Sequence, residues 1–324
     1  MENFVIAHGD GDGVTSAALA LAALGEATVY FSHPAGLYGD LKDVLEMSKG
    51  KLRRLVICDI AICERALPDL FELLSELSKS CEIVYIDHHP PPLRAGLKEV
   101  PIEVVLGSEE CTAELTFKYF EDRLDWDMSR VALYGAICDY ATTTDFFREA
   151  LKYWDQRTIF FESGVLAQGL EGSRGQYDFK RHVVKHLSEN RLPSSLSELL
   201  VKALIHTVSE EEMRRQLPEL VRVVGSVAYV VNPPGSVARA ANYARAIARK
   251  PVGVAAEEKG DVMVMSVRTS EEAIDLNSIL RRICVRLGGT GGGHRSAAGA
   301  RVPRDKFQEF LVELDKEINL LLRR

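Results

Sequence analysis

The sequence has no Cys-x-x-Cys pair, no membrane-length apolar run and no surplus of basic residues. Its six cysteines, at 58, 63, 81, 111, 138 and 284, are scattered. That excludes a paired-thiolate zinc site and fits reduced thiols in a cytosolic chain. A membrane-spanning helix needs about 20 consecutive apolar residues, and no run approaches that. The N-terminus enters the apolar run Phe4 to Ala7 without the basic segment of a secretory leader. The expected compartment is the cytoplasm. Lys and Arg number 40 against 47 Asp and Glu, a net charge of −7. This argues against a broad basic face for gripping duplex DNA. A short or single-stranded substrate held by a local patch stays open.

What is present is ample apolar material, 46% of 324 residues, enough for about two domains of ~150 residues. Short apolar runs read as strands at Asn3–Ala7, Ala27–Ser32, Arg54–Cys58 and Glu82–Ile86, with a further one at Glu103–Leu106. Helical patterns separate them at Val14–Leu24, Tyr38–Ser48 and Leu67–Lys79. This alternation predicts an α/β fold with a parallel, helix-covered sheet. From Thr112 to about Leu204 the pattern is mostly helical, and Glu210 to Val224 reads as a helical end to a connecting region. A second, smaller α/β unit follows. It has a strand at Val227–Val231, a helix at Val237–Arg249, a hairpin over Pro251–Ala256 and Val262–Val267, and a helix at Leu276–Leu287. A glycine loop, a short strand at Ala300–Val302 and a closing helix at Arg304–Leu322 complete it. The expected domains are 1–190 and 226–324, with 191–225 as a helical connector.

The chemistry-bearing residues cluster at predicted strand ends, where open α/β sheets place their sites. Asp87-His88-His89 follows the fourth strand. His8, Asp10 and Asp12 follow the first, spaced so that extended backbone puts all three on one face. Asp59 ends the third strand, and Asp139 follows the apolar run Val131–Cys138. Each piece alone has a plainer reading: a polar turn, a helix N-cap, a solvated loop. Together they concentrate more negative charge than a bare site tolerates, and divalent cations would balance it. A mixed oxygen and nitrogen set suits manganese, with magnesium as the alternative. Two ions ~3.5–4 Å apart would form a clamp for displacement at phosphorus. His33, His182 and His186 read as surface residues, and Cys58 and Cys138 as core packing.

Downstream, Gly291-Gly292-Gly293-His294-Arg295 offers unobstructed backbone N–H groups and cationic donors. From Asn277 to Arg304 there are six arginines, no lysine and no acid, a local positive patch suited to phosphate.

His8-x-Asp10-x-Asp12-Gly13, Asp59, Asp87-His88-His89 and Asp139 together resemble the four ordered motifs of the DHH phosphoesterase superfamily. Gly291-Gly-Gly-His294-x-x-Ala-Ala-Gly299 resembles the signature of the DHH-associated C-terminal domain. The likeness spans almost the whole chain. The superfamily includes RecJ-type exonucleases, nanoRNases, adenosine-bisphosphate phosphatases and cyclic-dinucleotide phosphodiesterases, all metal-dependent and typically using manganese.

The resemblance implies that His8, Asp10 and Asp59 hold one Mn2+, and that Asp12, Asp59, His88 and Asp139 hold the other. His89 would contact the scissile phosphate and Asp87 would orient the histidines. Arg268, Gly291, Gly292, Gly293, His294 and Arg295 would bind substrate, in a cleft between the domains. The loop from Tyr140 to Asp145 departs from the form many members carry. The expected activity is hydrolysis of terminal phosphodiesters in short single-stranded RNA or DNA by a two-metal-activated hydroxide. The alternative is a small-nucleotide phosphatase or phosphodiesterase acting on adenosine bisphosphate or a cyclic dinucleotide. No membrane partner is expected, and a homo-oligomer is compatible with the sequence. A DHH-type pyrophosphatase is disfavoured by the GGGH signature, a tRNA-editing module by the complete N-terminal motifs, and a non-catalytic sensor by the full ligand set.

Overall fold

A computed structural model describes residues 2–63, 66–92 and 100–322. The chain divides into two compact units, Met1–His206 and Thr207–Arg324. In the first, β1 (Glu2–His8), α1 (Gly11–Leu24), β2 (Thr28–Ser32), α2 (Leu37–Ser48), β3 (Leu52–Cys58), α3 (Leu67–Leu77), β4 (Glu82–Asp87) and β5 (Glu103–Leu106) alternate as expected. The helices α4 (Thr112–Tyr119), α5 (Ser129–Cys138), α6 (Asp145–Leu151), α7 (Gln156–Glu171) and α8 (Tyr177–Ser188) follow. The strands form one five-stranded sheet in the order β2-β1-β3-β4-β5, with every pairing parallel.

That strand order places a topological switch point between β1 and β3. Connections leave these neighbours toward opposite faces and open a crevice at their C-terminal ends. His8 and Asp59 stand at this crevice, and Asp87 ends the next strand over. One sheet face packs on α1, α4, α5, α7 and α8, and the other on α2 and α3. Helix α1 is alanine-rich and buried along most of its length. Small side chains let it lie close beneath the sheet and against α5 and α8.

Helix α9 (Ser197–Leu220) is one continuous helix, and the division between the two units falls within it. The second unit holds β6 (Arg222–Val224), β7 (Val227–Val231), α10 (Val237–Ala248), β8 (Val252–Lys259), β9 (Val262–Thr269), α11 (Leu276–Arg286), β10 (Thr290–Gly293), β11 (Ala297–Pro303) and α12 (Phe307–Leu322). Its six-stranded sheet runs β10-β11-β9-β8-β7-β6, with only β7 and β8 parallel. Residues 222–224, read as helical, instead pair with β7 as an edge strand. The charge of the preceding stretch hid two β-favouring valines, Val223 and Val224. No described helix is long and apolar enough to cross a membrane.

Candidate metal centre

The first motif folds differently from its sequence reading. Helix α1 begins at Gly11, three residues earlier than its apolar pattern suggested. Asp10 caps it, Oδ1 accepting from the Gly13 N–H at 3.0 Å. His8, Asp10 and Asp12 therefore converge through a strand-to-helix turn rather than by alternation along extended backbone. A Cβ at Gly13 would fall 2.2 Å from the His8 carbonyl oxygen, so the turn requires glycine. Asp12 lies buried in the first helical turn. Its Oδ2 accepts from Thr112 N (2.7 Å) and its Oδ1 from Ala113 N (2.8 Å), the amides that open α4. Orphan N–H groups at a helix start favour such a carboxylate.

Asp59 is 3% exposed and adopts a left-handed backbone (φ 60°). Its N–H donates to Ile86 O at 3.0 Å, which ties the end of β3 to β4. Thr112 Oγ1 donates to its Oδ1 at 3.3 Å, while its buried Oδ2 has no hydrogen-bond partner among the described residues. The nearest histidine nitrogen, His8 Nδ1, stands 3.9 Å from that oxygen.

At the end of β4, Asp87 Oδ1 accepts from His89 Nδ1 at 2.7 Å, and its Oδ2 lies 2.9 Å from the Tyr85 hydroxyl. His88 Nε2 stands 3.6 Å from Asp59 Oδ1 and 3.9 Å from Asp12 Oδ2. Its Nδ1 is 3.6 Å from Asp139 Oδ2. Asp139 caps the C-terminus of α5. That helix approaches α1 closely because Gly135 lacks a side chain: a Cβ there would meet Thr15 Oγ1 at 2.4 Å and Asp12 Oδ1 at 3.0 Å.

Within this unit three donor groups result, His8/Asp10/Asp59, Asp12/His88/Asp139 and Asp59/Asp87/His89. Within each, one ligating atom per residue lies within 4.8 Å of the others. Asp59 belongs to two of them.

The electrostatics show the same crowding. Burial, then the charges of Asp10, Asp12, Asp87 and Asp139, push the Asp59 carboxyl well above the usual range. Burial and the nearby Asp12 push Asp139 up to about 8. Burial also raises Asp12, against the pull of His88. Burial works upward on Asp10 and Asp87 too. The His8 beside Asp10, and the hydrogen bond from His89 to Asp87, nevertheless hold both below the ordinary value. His8 is raised by Asp10, and His89 by Asp87 against its own burial.

A buried carboxylate oxygen without a donor, surrounded by carboxylates that resist ionising together, is what a divalent cation would satisfy. The residues therefore fit such ions, and oxygen and imidazole donors without thiolate match Mn2+ or Mg2+.

Several supporting groups escaped the sequence reading. Tyr85 lies two residues before Asp87 on the same face of β4, a spacing that could have flagged it. Replacing Tyr85 by Phe removes the hydroxyl from Asp87. It is expected to lower phosphoesterase activity or metal affinity about 10- to 100-fold, read from kcat/KM and from a metal titration. The Lys180 ammonium, on α8, donates to the Gly9 carbonyl. Burial lowers its pKa, with Asp10 opposing. At 171 residues' separation, no sequence signal joins it to the first motif. His186 corrects another expectation. It is buried, with Nε2 2.9 Å from both Leu192 O and Ser195 Oγ, and so is a core histidine. His182 and His33 are exposed, as expected.

In the second unit, the glycine run is not a loop. Thr290–Gly293 is edge strand β10, pairing Gly291 with Ala300, Gly292 with Gly299 and Gly293 with Ala298. Small residues on both strands permit this close, flat pairing. Gly293 N donates to Asn277 Oδ1 at 3.1 Å and His294 N to Ala297 O at 2.8 Å. Arg268 sits in β9 opposite Ala297, its Nη1 donating to Val267 O. Arg295 Nη1 is 3.5 Å from Asp275 Oδ2, and its Nη2 donates to Glu272 O.

The expected positive patch is largely answered from outside its own segment. Besides Arg295, Arg282 pairs with Glu317, Arg286 with Glu313 and Arg304 with Glu258. Those acids lie outside the segment 277–304, so counting charge along that segment missed them.

Two family models match the chain: the DHH family, N-terminal domain, over residues 3–141, and the DHHA1 domain over residues 224–320. Among curated proteins, an uncharacterized protein of Methanocaldococcus jannaschii is 41% identical over 69 residues, 20% of this chain and 16% of that one. Among solved structures, RecJ in complex with Mn2+ from Thermus thermophilus superposes with a TM-score of 0.69 at 19% identity. The match covers 98% of this chain and 52% of RecJ, so the chain spans about half of RecJ's length. The pGpG-specific phosphodiesterase PggH of Vibrio superposes with a TM-score of 0.60 at 14% identity, over 99% of this chain and all of that one.

Proposed function

We propose that this chain, which belongs to the DHH phosphoesterase superfamily and is a metal-dependent phosphoesterase, hydrolyses terminal phosphodiester bonds of short single-stranded oligonucleotides with two manganese ions. The observation that carries the reading is the pair of donor groups, His8/Asp10/Asp59 and Asp12/His88/Asp139: the first contains the buried Asp59, whose Oδ2 no described residue hydrogen-bonds, and His88 of the second stands 3.6 Å from Asp59 Oδ1. Divalent ions held there would acidify a water as nucleophile and counter the phosphoryl charge.

The chain's own residues do the rest. Asp59 faces both donor groups, and its carboxylate sets their spacing. Asp12, fixed by two α4 amides, cannot swing away when its charge is countered. Asp87 accepts from His89 Nδ1, which fixes the ring tautomer, and His89 acts on a phosphoryl oxygen through Nε2 as a charged donor. Lys180 and Asp10 pin the Gly9–Gly13 turn that carries the first ligands. In the second unit, Arg268, Gly291, Gly292, Gly293, His294 and Arg295 are the proposed nucleotide-binding residues, with Asn277 shaping the glycine strand.

A second reading is a small-nucleotide phosphatase or phosphodiesterase. It is favoured by a pGpG-specific phosphodiesterase sharing the fold along its entire length. One panel separates the two. The protein is incubated with Mn2+ and labelled 2–5-mers and 20-mers of RNA and DNA, adenosine bisphosphate and cyclic di-AMP. The Asp87→Ala/His88→Ala variant serves as the blank. Stepwise release of terminal mononucleotides from the short oligomers, absent in the blank, is the expected result. Turnover of the small nucleotides alone establishes the second reading. No turnover of any substrate with manganese bound overturns both.

A further inference from the structure

The residue after Asp139 is out of keeping with its backbone. Helix α5 ends in a Schellman arrangement: the Tyr140 N–H donates to Ile137 O (3.3 Å) and the Ala141 N–H to Ala136 O (2.8 Å). This places Tyr140 at the left-handed position, with φ 61°, where glycine is the usual occupant because a Cβ is strained there. A bulky aromatic at that position is an uncommon and costly choice. The residue is 85% exposed, the most exposed large hydrophobic among the described residues. Three other exposed aromatics of this unit are held by a ring neighbour, while Phe160 and Phe161 are exposed on α7 with ordinary helical backbone. Trp126 and Tyr153 pack edge-to-face on each other, and Tyr177 stacks on Phe31.

The position is also functionally placed. Adjacent Cα atoms are about 3.8 Å apart, so the Tyr140 ring is anchored one residue from the Asp139 carboxylate, itself 3.6 Å from His88. The strained turn fixes the direction in which the ring leaves the backbone. An exposed, pre-oriented aromatic beside a phosphate-cleaving centre is suited to stacking on a planar base.

We propose that Tyr140 is a substrate-binding residue that stacks on the nucleobase adjoining the scissile phosphate, and so selects base-bearing phosphodiesters over other phosphate esters. This rests on the phosphodiesterase reading above and adds the base as the recognised group.

The test compares the parent with Tyr140→Asn and Tyr140→Phe. Asparagine tolerates the left-handed backbone, so the ring is removed without disturbing Asp139. Phenylalanine keeps the stacking face. The substrates are a 5′-phosphorylated adenylate trinucleotide and the same backbone with abasic sites. Steady-state kinetics in Mn2+ are paired with equilibrium binding by calorimetry, which needs no turnover.

Tyr140→Asn is expected to raise KM and Kd for the adenylate about 10-fold or more, consistent with one lost base stack. It should hold kcat within a few-fold, leave the abasic substrate unchanged, and unfold at or above the parent's temperature. Tyr140→Phe is expected to match the parent. Equal effects of Tyr140→Asn on both substrates, or none on either, would overturn the stacking role. Tyr140-dependent binding of the adenylate without cleavage would keep the stacking and overturn the hydrolytic reading. A parent that neither binds nor cleaves it overturns both.

Discussion

Replacing Asp59 by Asn is expected to lower phosphoesterase activity roughly 1,000-fold or more while leaving the metal-free protein as stable as the parent, or more so. The two effects share one cause. Asp59 is the residue common to the donor groups built on His8 and Asp10 and on Asp87 and His89, and His88 Nε2 lies 3.6 Å from it. An amide keeps its shape and removes its charge, so divalent ions that these groups would hold would lose a charged ligand. Several kcal/mol of charge stabilisation go with it, about a thousandfold in rate. The same carboxylate is a liability when no cation is present. It is buried among Asp10, Asp12, Asp87 and Asp139, which is why its carboxyl resists ionisation, and one oxygen lacks a donor. A neutral side chain removes that repulsion. Calorimetric unfolding in EDTA at pH 8, beside kcat/KM on a short oligonucleotide in Mn2+, checks both. A large fall in the EDTA unfolding temperature would show that Asp59 serves the fold rather than the ions.

How much of this was legible in the sequence depends on the distance over which the signal acts. The parallel sheet was readable because β1, β3 and β4 are short apolar runs ending in charge, and that pattern is local. The site residues were readable for the same reason: His8, Asp59 and Asp87 follow strands, and strand ends in such a sheet are neighbours.

The geometry within the first motif was not readable. Alternation suggested an extended segment, but Asp10 prefers to cap a helix, and the glycine at 13 allows that helix to start against the His8 carbonyl. The GGG run was misread as a loop because glycine has low strand propensity. Its pairing depends on Ala298, Gly299 and Ala300 across the ladder, which no local window weighs. Long-range partners were beyond reach altogether. Lys180 at Gly9 and the Thr112 and Ala113 amides at Asp12 are fixed by the packing of α8 and α4. The acids opposite Arg282, Arg286 and Arg304 belong to α12 and β8. Tyr140 lay in plain view beside Asp139, but its meaning depends on a positive φ that sequence alone does not show.

The metal-free protein is expected to lose stability as pH rises from about 4 to about 8, and Mn2+ is expected to restore it by an amount that grows over the same interval. Asp139 titrates at about 8 in the folded chain against an ordinary value of 3.8, and Asp59 is displaced the same way. Between the two values the folded state holds protons that the unfolded state has released, so unfolding becomes easier as pH increases. His8 and His89 act in the same sense. Their folded values are raised, so the stability they give is full below the unfolded imidazole value and is lost as pH passes through the folded one. Asp10 and Asp87 are lowered. Their contribution is complete above the ordinary carboxylate range and falls away only in acid, so it does not offset the decline. Manganese reverses the trend because it binds the deprotonated ligands: protons compete with it at pH 5 and hardly at pH 8. At a hundred to a thousand times its dissociation constant, binding adds about 3–4 kcal/mol, or on the order of 10 °C for a unit of this size. Differential scanning calorimetry at pH 5, 6.5 and 8, with EDTA and with Mn2+, measures the whole surface. A manganese shift that is the same at every pH would place the bound ion away from these carboxylates.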